Sequence, residues 1–189
     1  MELLLEILSL PKPSIFIKEL EEEIFLMIPE LEKSKGFKQN NEWHIYDVYD
    51  HILNVVDNVE LNINLRLAAL FHDIGKPDTY TEDENGVGHF YGHWDKSNEI
   101  FLKFAKRNRL DKKQIIQISK LIKYHDVNIN ILSEDEFDNL LELFSIEELV
   151  MLYKLKKADL LSQNTKYHHL LGSYEEQETM VLKLKESIW

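Results

Sequence analysis

Apolar residues recur along this chain at intervals of three and four, the spacing that gathers them on one face of an α-helix, and alternating strand-like runs are few. The pattern predicts an all-α bundle of seven or eight helices. Residues 2–9 and 14–33 form an amphipathic pair separated by Pro11-Lys12-Pro13, with Pro29 kinking or ending the second helix and Gly36 closing the unit. From Ile45 onward, Val48, Tyr49, Ile52, Val55, Val56 and Val59 keep the helical period and place His51 on the inward side. Leu67-Ala68-Ala69-Leu70-Phe71 is a short apolar helix that runs into His72-Asp73-Ile74 and stops at Gly75-Lys76-Pro77.

The helical period lapses between Thr79 and Trp94. Glu82-Asp83-Glu84-Asn85-Gly86 reads as an exposed turn and Gly88-His89-Phe90-Tyr91-Gly92 as an irregular loop of the kind that lines sites. A helix then runs from His93 to Arg107, and another from about 112 to 125, where Ile115, Ile118 and Ile122 share a face with His125. Ser133-x-x-Glu136, Ser145-x-x-Glu148 and Ser173-x-x-Glu176 each fit a capping box and predict helix starts near 134, 146 and 174. Asp159 then falls late in a helix of 146–163, beside Leu152, Leu155 and Ala158.

Composition narrows the chemistry. The 189 residues, 44% of them hydrophobic, suit one domain: a helical pair over 1–40, a core over 41–165 and a C-terminal helix over 166–189. With no cysteine, any metal must be held by imidazole and carboxylate. Glu2 and Glu6 stand where a secretory leader would be positive, and no apolar run reaches bilayer length, so a cytoplasmic protein without a membrane partner is expected. The net charge of −12 opposes binding to nucleic-acid polymers and favours a small phosphorylated nucleotide, with RNA ends still admissible.

A single inward histidine is more often a hydrogen-bonded core residue than a ligand. The set is harder to dismiss. Asp159 lies on an apolar stripe with no evident buried Lys or Arg beside it, and a carboxylate there costs several kcal/mol unless a cation compensates. Asp73 at a helix C-terminus opposes the helix dipole unless a cation sits in front of it. His51, His72, Asp73, His93, His125 and Asp159 together therefore read as a metal site. Such ligands suit one or two divalent ions: Mn, Fe, Zn, Ni or Co, or Mg where carboxylate and water dominate. Two ions sharing Asp73 would clamp a phosphoryl group. No G-x-S-x-G, Walker-type loop or H-E-x-x-H competes.

The order His51, His72-Asp73, Asp159 resembles the HD-domain superfamily of metal-dependent phosphohydrolases. Ile28-Pro29-Glu30-Leu31, Gln39, His44-Ile45-Tyr46-Asp47-Val48, Leu67 to Pro77, His89-Phe90-Tyr91-Gly92-His93 with Ser97, and Ala158-Asp159 with Gln163-Asn164 are similar to the HD portion of bacterial tRNA nucleotidyltransferases, over about residues 25–165. Those enzymes carry an N-terminal catalytic head; no segment long enough for it precedes residue 25, so nucleotide addition is not expected. The resemblance implies that His51, His72, Asp73 and Asp159 hold one ion and that Asp73, His93 and His125 hold a second. Asp73 and Lys76 are then the expected catalytic pair, Lys76 neutralising phosphoryl oxygens, with Lys76, Ser97, His44 and His89 contacting substrate. His44, seven residues before His51, shares its helical face if the helix extends that far. His168-His169 and Asp126 are placed near the site only by guess.

The expected function is hydrolysis of nucleotide or cyclic nucleotide phosphoesters by activated water. The alternatives are a dinucleoside polyphosphate hydrolase or nucleotidase, which needs a longer basic groove from Arg66, Lys96, Lys123 and Lys166, or a non-catalytic, metal-stabilised RNA- or protein-binding module.

Overall fold

The computed structural model describes residues 1–127 and 134–187, of which 134–138 and 184–187 are described as helix alone. In chain order the helices are α1 (Glu2–Leu8), α2 (Pro13–Glu19), α3 (Glu21–Met27), α4 (Pro29–Ser34), α5 (Val48–Asn58), α6 (Ile63–Phe71), α7 (Lys76–Thr79), α8 (His93–Asn108), α9 (Lys112–Tyr124), α10 (Glu134–Leu143), α11 (Ile146–Leu161) and α12 (Leu171–Ser187). A 3-10 turn over Thr165–Leu170 leads into α12.

Helix α6 is the axis of the bundle. Every side chain from Leu65 to Phe71 is buried, as expected of a helix apolar on nearly all faces. It packs against α1, α5, α8, α9 and α11. Its one charge, Arg66, donates to the carbonyls of Leu8 and Leu10 and so satisfies the C-terminal end of α1. One hydrophobic cluster runs from Leu4 in α1 to Val181 in α12.

Side-chain caps start α5, α6, α9 and α11. Asp47 accepts from the Asp50 amide, Asn62 from Leu65 and Asp111 from Lys113 and Gln114. Ser145 and Glu148 form a complete capping box at α11, the helix that carries Asp159. Ser145→Ala is expected to cost about 1 kcal/mol, which lowers Tm by roughly 2–4 °C in a chain of this size. Calorimetry showing no shift would count against that box.

Several expectations are corrected. The predicted helix over 14–33 is three helices, interrupted at Leu20 (φ −110°, ψ 34°) as well as at Pro29. Nothing in Leu20 itself breaks a helix. Instead α2 is docked on α5 by Ser14, whose amide and hydroxyl both donate to Asp57, so the chain must turn to lay Ile24, Ile28 and Leu31 into the core. Part of the segment over 79–94 is a small antiparallel hairpin, β1 (Thr81–Glu82) with β2 (Gly88–His89), Thr81 opposite His89. Ser173 lies inside α12, because the 3-10 turn capped by Asn164 has already begun winding the chain. His44 precedes α5, which starts after Asp47, and is not on a helix with His51. Helix α10 begins at Glu134, where a start was expected, and the cap expected of Ser133 lies outside the described residues. Among the described residues no helix is long and apolar enough to cross a membrane.

Candidate metal centre

Three of the four site histidines, His51, His72 and His125, bind carbonyls at the C-terminal ends of helices. His72 and His125 are the C-cap residues of α6 and α9, and each donates its Nδ1–H to the carbonyl three residues back, Ala69 at 2.7 Å and Ile122 at 2.7 Å. His93, at the start of α8, does the same with Phe90 at 2.8 Å. His51 of α5 donates to the carbonyl of Ser162, the C-cap of α11, at 3.2 Å. A carbonyl can only accept, so all four rings carry hydrogen on Nδ1 and turn Nε2 inward.

These nitrogens converge in two pairs, His51 with His72 at 3.3 Å and His93 with His125 at 3.2 Å. Facing lone pairs at that distance repel unless a cation or a proton stands between them. Asp73 lies between the pairs. Its Oδ2 is 3.2 Å from His51 Nε2 and 3.3 Å from His72 Nε2, while its Oδ1 is 3.2 Å from His93 Nε2 and 3.5 Å from His125 Nε2. Asp159 Oδ1 closes the first group, 3.0 Å from His51 Nε2. The structure thus brings all six predicted ligand residues together.

The donor set fits a divalent ion. Buried Asp73 Oδ1 has no hydrogen-bond partner, an expensive condition for a carboxylate oxygen. Ligating atoms lie within 4.8 Å of one another in three combinations: His51, His72 and Asp159; His72, Asp73 and His125; and His44, His51 and Asp73. Without a metal, protons take the cation's place. Burial works against a charge on His51, but its hydrogen bonds to Asp159 and then to Asp73 override it and raise the imidazole to about 9. Asp159 moves the opposite way: burial would raise it, and His51 beside it holds the carboxyl well below its usual range. For Asp73 burial is likewise outweighed, here by His72 and Lys76 among its neighbours, and the carboxyl is lowered.

Three predicted contacts are placed differently from expectation. Lys76 is buried and donates to Asp73 Oδ2 at 2.5 Å and Gln39 Oε1 at 2.9 Å, with His44 Nε2 at 3.2 Å. Its three protons are shared among these partners, so its charge offsets Asp73, and it borders the cavity in front of the centre. Ser97 is fully buried and its Oγ accepts from the Gly75 amide at 2.9 Å, which makes it a brace for the His72-Asp73 turn and removes it from substrate contact. Arg66, Lys96, Lys123 and Lys166 form no groove: Arg66 holds α1, and the others pair with Asp78 and Glu99, Asp95, and Glu42.

His44 and His89 both line the cavity in front of the metal centre, a space of about 400 Å³ that Asp126 also borders. His44 donates Nδ1–H to Asn41 at 2.8 Å, and burial, followed by the charges of Lys76 and His51, keeps its ring neutral. His89 Nε2 lies 3.3 Å from Asp83 in the hairpin. His168 and His169 do not line the cavity.

Two participants were missed in the sequence. Lys156, one turn before Asp159, is buried and donates to the carbonyls of His125 and Val127, both at 2.6 Å, tying the turn after α9 to α11. Burial lowers it to about 8. It corrects the expectation that no cation accompanies Asp159; the argument applied to Asp159, a charge on an apolar stripe, finds it too. Asn41, which orients His44, carries no such signal.

Glycine at 75 is a packing requirement. A Cβ there would lie 2.6 Å from the Ser97 amide nitrogen and 2.8 Å from the His93 carbonyl, because the turn after His72-Asp73 presses against the start of α8. Gly75→Ala is expected to cost about 1–3 kcal/mol and to loosen metal retention by separating Asp73 from His93. An unchanged melting curve together with full metal content would overturn this.

The HD domain family matches residues 44–184, about three quarters of the chain and every residue of the centre. The chain is also similar to the A-adding tRNA nucleotidyltransferase of Deinococcus radiodurans, 29% identical over 110 residues, which is 55% of this chain and 25% of that protein. The CC-adding tRNA nucleotidyltransferase of Thermus thermophilus is 33% identical over 104 residues, 52% of this chain and 24% of the relative. The multifunctional CCA protein of Shewanella frigidimarina is 28% identical over 143 residues, 72% and 34% respectively. The chain spans about a quarter to a third of the length of these relatives. With the match running from His44 through α11 and into α12, over an all-helical fold that gathers histidines and aspartates at its middle, this chain belongs to the HD domain family, a superfamily of metal-dependent phosphohydrolases.

Proposed function

We propose that this protein hydrolyses phosphoesters of nucleotides or cyclic nucleotides with two divalent ions held by the six residues of the centre. The observation that carries this reading is the common Nδ1-protonated form of four rings, which turns four Nε2 atoms toward the two oxygens of one carboxylate. A structural metal needs a closed shell of four ligands; a centre opening onto a 400 Å³ cavity suits a substrate instead.

Divalent ions in such a site supply Lewis acidity and activate water near neutral pH. The chain's own groups do the rest. His51, His72, Asp73 and Asp159 would hold one ion and Asp73, His93 and His125 the other, with Asp73 shared. Backbone carbonyls keep each imidazole turned to the site, so no reorganisation accompanies loading. Lys76 balances Asp73, and Lys156 holds the His125 turn in register. His44, neutral and bordering the cavity, spends its Nδ1–H on Asn41 and its Nε2 lone pair on Lys76, and so holds that ammonium against Asp73. Two of the relatives are named A-adding and CC-adding tRNA nucleotidyltransferases, which makes adenosine and cytidine nucleotides natural members of the substrate panel.

The deciding experiment measures phosphate and nucleoside release from nucleoside monophosphates, and ring opening of 2′,3′-cyclic nucleotides to the monophosphate. It compares protein stripped by chelator with protein reloaded with Mn, Fe, Co or Mg. Turnover restored by reloading is expected. Equal background in stripped and reloaded protein would refute the enzyme reading and favour a metal-stabilised binding module.

A further inference from the structure

Beside the metal centre, the aromatic rings at the cavity mouth form layers. Trp43 lies parallel to Tyr167, ring centroids 3.6 Å apart and planes 13° apart. On the Tyr167 ring sits the Lys166 ammonium, 4.8 Å from its centroid. Trp43 stacks on Tyr167 on one side, retains 41% exposure and lines the metal cavity.

Trp43 also lines a neighbouring groove of about 630 Å³, and Gly88 and His89 border both spaces. On the hairpin side His89 stacks on Tyr91, centroids 5.4 Å and planes 7° apart, with Tyr91 76% exposed. The groove is built, since the Gly88 amide donates to the Asn40 carbonyl at 2.9 Å and a Cβ on Gly88 would lie 2.2 Å from the Gln39 carbonyl oxygen. The Asn164 amide donates to the Trp43 carbonyl at 2.8 Å, and Lys166 pairs with Glu42 at 2.7 Å, which fixes the platform.

A planar aromatic heterocycle can continue such a stack, and under the proposed function the adjacent centre receives a phosphate. Resting on the phosphohydrolase reading above, we infer that Trp43 is a base-stacking platform, and that the substrate is a nucleoside phosphate whose base lies on the indole while its phosphate reaches the centre. The expected contribution is about ten- to a hundredfold in affinity, the range for one base on one aromatic side chain. It discriminates a nucleotide from a sugar phosphate with no appeal to the base's hydrogen-bonding edge.

The test measures binding of adenosine, adenosine 5′-monophosphate and ribose 5-phosphate by calorimetry to the metal-loaded protein, for wild type, Trp43→Ala and Trp43→Leu. Trp43→Leu keeps apolar cover on Tyr167 and serves as the reading if the alanine variant does not fold. Adenosine and its monophosphate are expected to weaken at least about tenfold in the variants, while ribose 5-phosphate and metal content stay unchanged. Absence of adenosine binding to wild type, equal affinity in all three proteins, or an equal loss for ribose 5-phosphate would each overturn the platform. Adenosine binding intact in a protein that hydrolyses neither monophosphates nor cyclic phosphodiesters would instead sink the hydrolase reading alone.

Discussion

Asp73→Asn is expected to empty the centre and stop turnover together. Both carboxylate oxygens face histidine pairs, Oδ2 toward His51 and His72 and Oδ1 toward His93 and His125, so no other single substitution removes charge from both groups. Loss of a residue that merely supports a ligand costs about 10- to 100-fold in metal affinity or activity, and loss of the shared ligand should exceed about a hundredfold. The same change strands the Lys76 ammonium in a buried place, which costs about 3–5 kcal/mol. At roughly 2–4 °C per kcal/mol the melting point should fall by about 10 °C. Adding Lys76→Met should recover most of the stability and none of the metal, because the stranded charge is gone while the shared ligand is still missing. Metal content by mass spectrometry, with melting curves of the single and double variants, checks both halves. Two ions retained by Asp73→Asn would end the two-ion account.

Stripping the ions from wild-type protein is the second large effect, and its size should depend on pH. An ion at a thousand times its dissociation constant stabilises the folded state by about 4 kcal/mol, so chelation should lower Tm by roughly 8–16 °C. In the stripped protein a proton on His51 bridges Asp159 and Asp73, and the folded imidazole titrates near 9 against an ordinary value of 6.5. A folded value above the unfolded one adds stability that is complete below about 6.5 and is lost as the pH rises through 9. The stripped form therefore weakens across that window, whereas loading displaces the His51 proton and removes the dependence. The Tm gap between loaded and stripped protein should widen from pH 6.5 to 9. A constant gap would show that His51 is neutral in the stripped state.

The candidate ligand residues stand out in the sequence because they break local rules. His72-Asp73 ends an apolar helix with an acid at the wrong end of the dipole, and Asp159 interrupts an apolar stripe; neither is tolerable without a cation. The same reasoning reached the helices that carry them, α5, α6, α8, α9 and α11, since each keeps an unbroken apolar period or a clear cap. What failed were features set by distant partners. The break at Leu20 follows from docking on Asp57, the burial of Ser97 from the close approach of Gly75, and the retention of Lys76 from Gln39 and His44.

By itself, the sequence determined the all-helical class, the positions of the ligand residues at helix ends and the restriction to imidazole and carboxylate, because period, capping and composition act over a few residues. Only the tertiary structure decided which nitrogens meet. His51 faces His72 across 21 residues and His93 faces His125 across 32, through backbone carbonyls that select one ring tautomer. It likewise decided that Trp43 lies on Tyr167 at the mouth of the cavity. Such contacts join segments with no common period, and their energy exists only once the helices have packed.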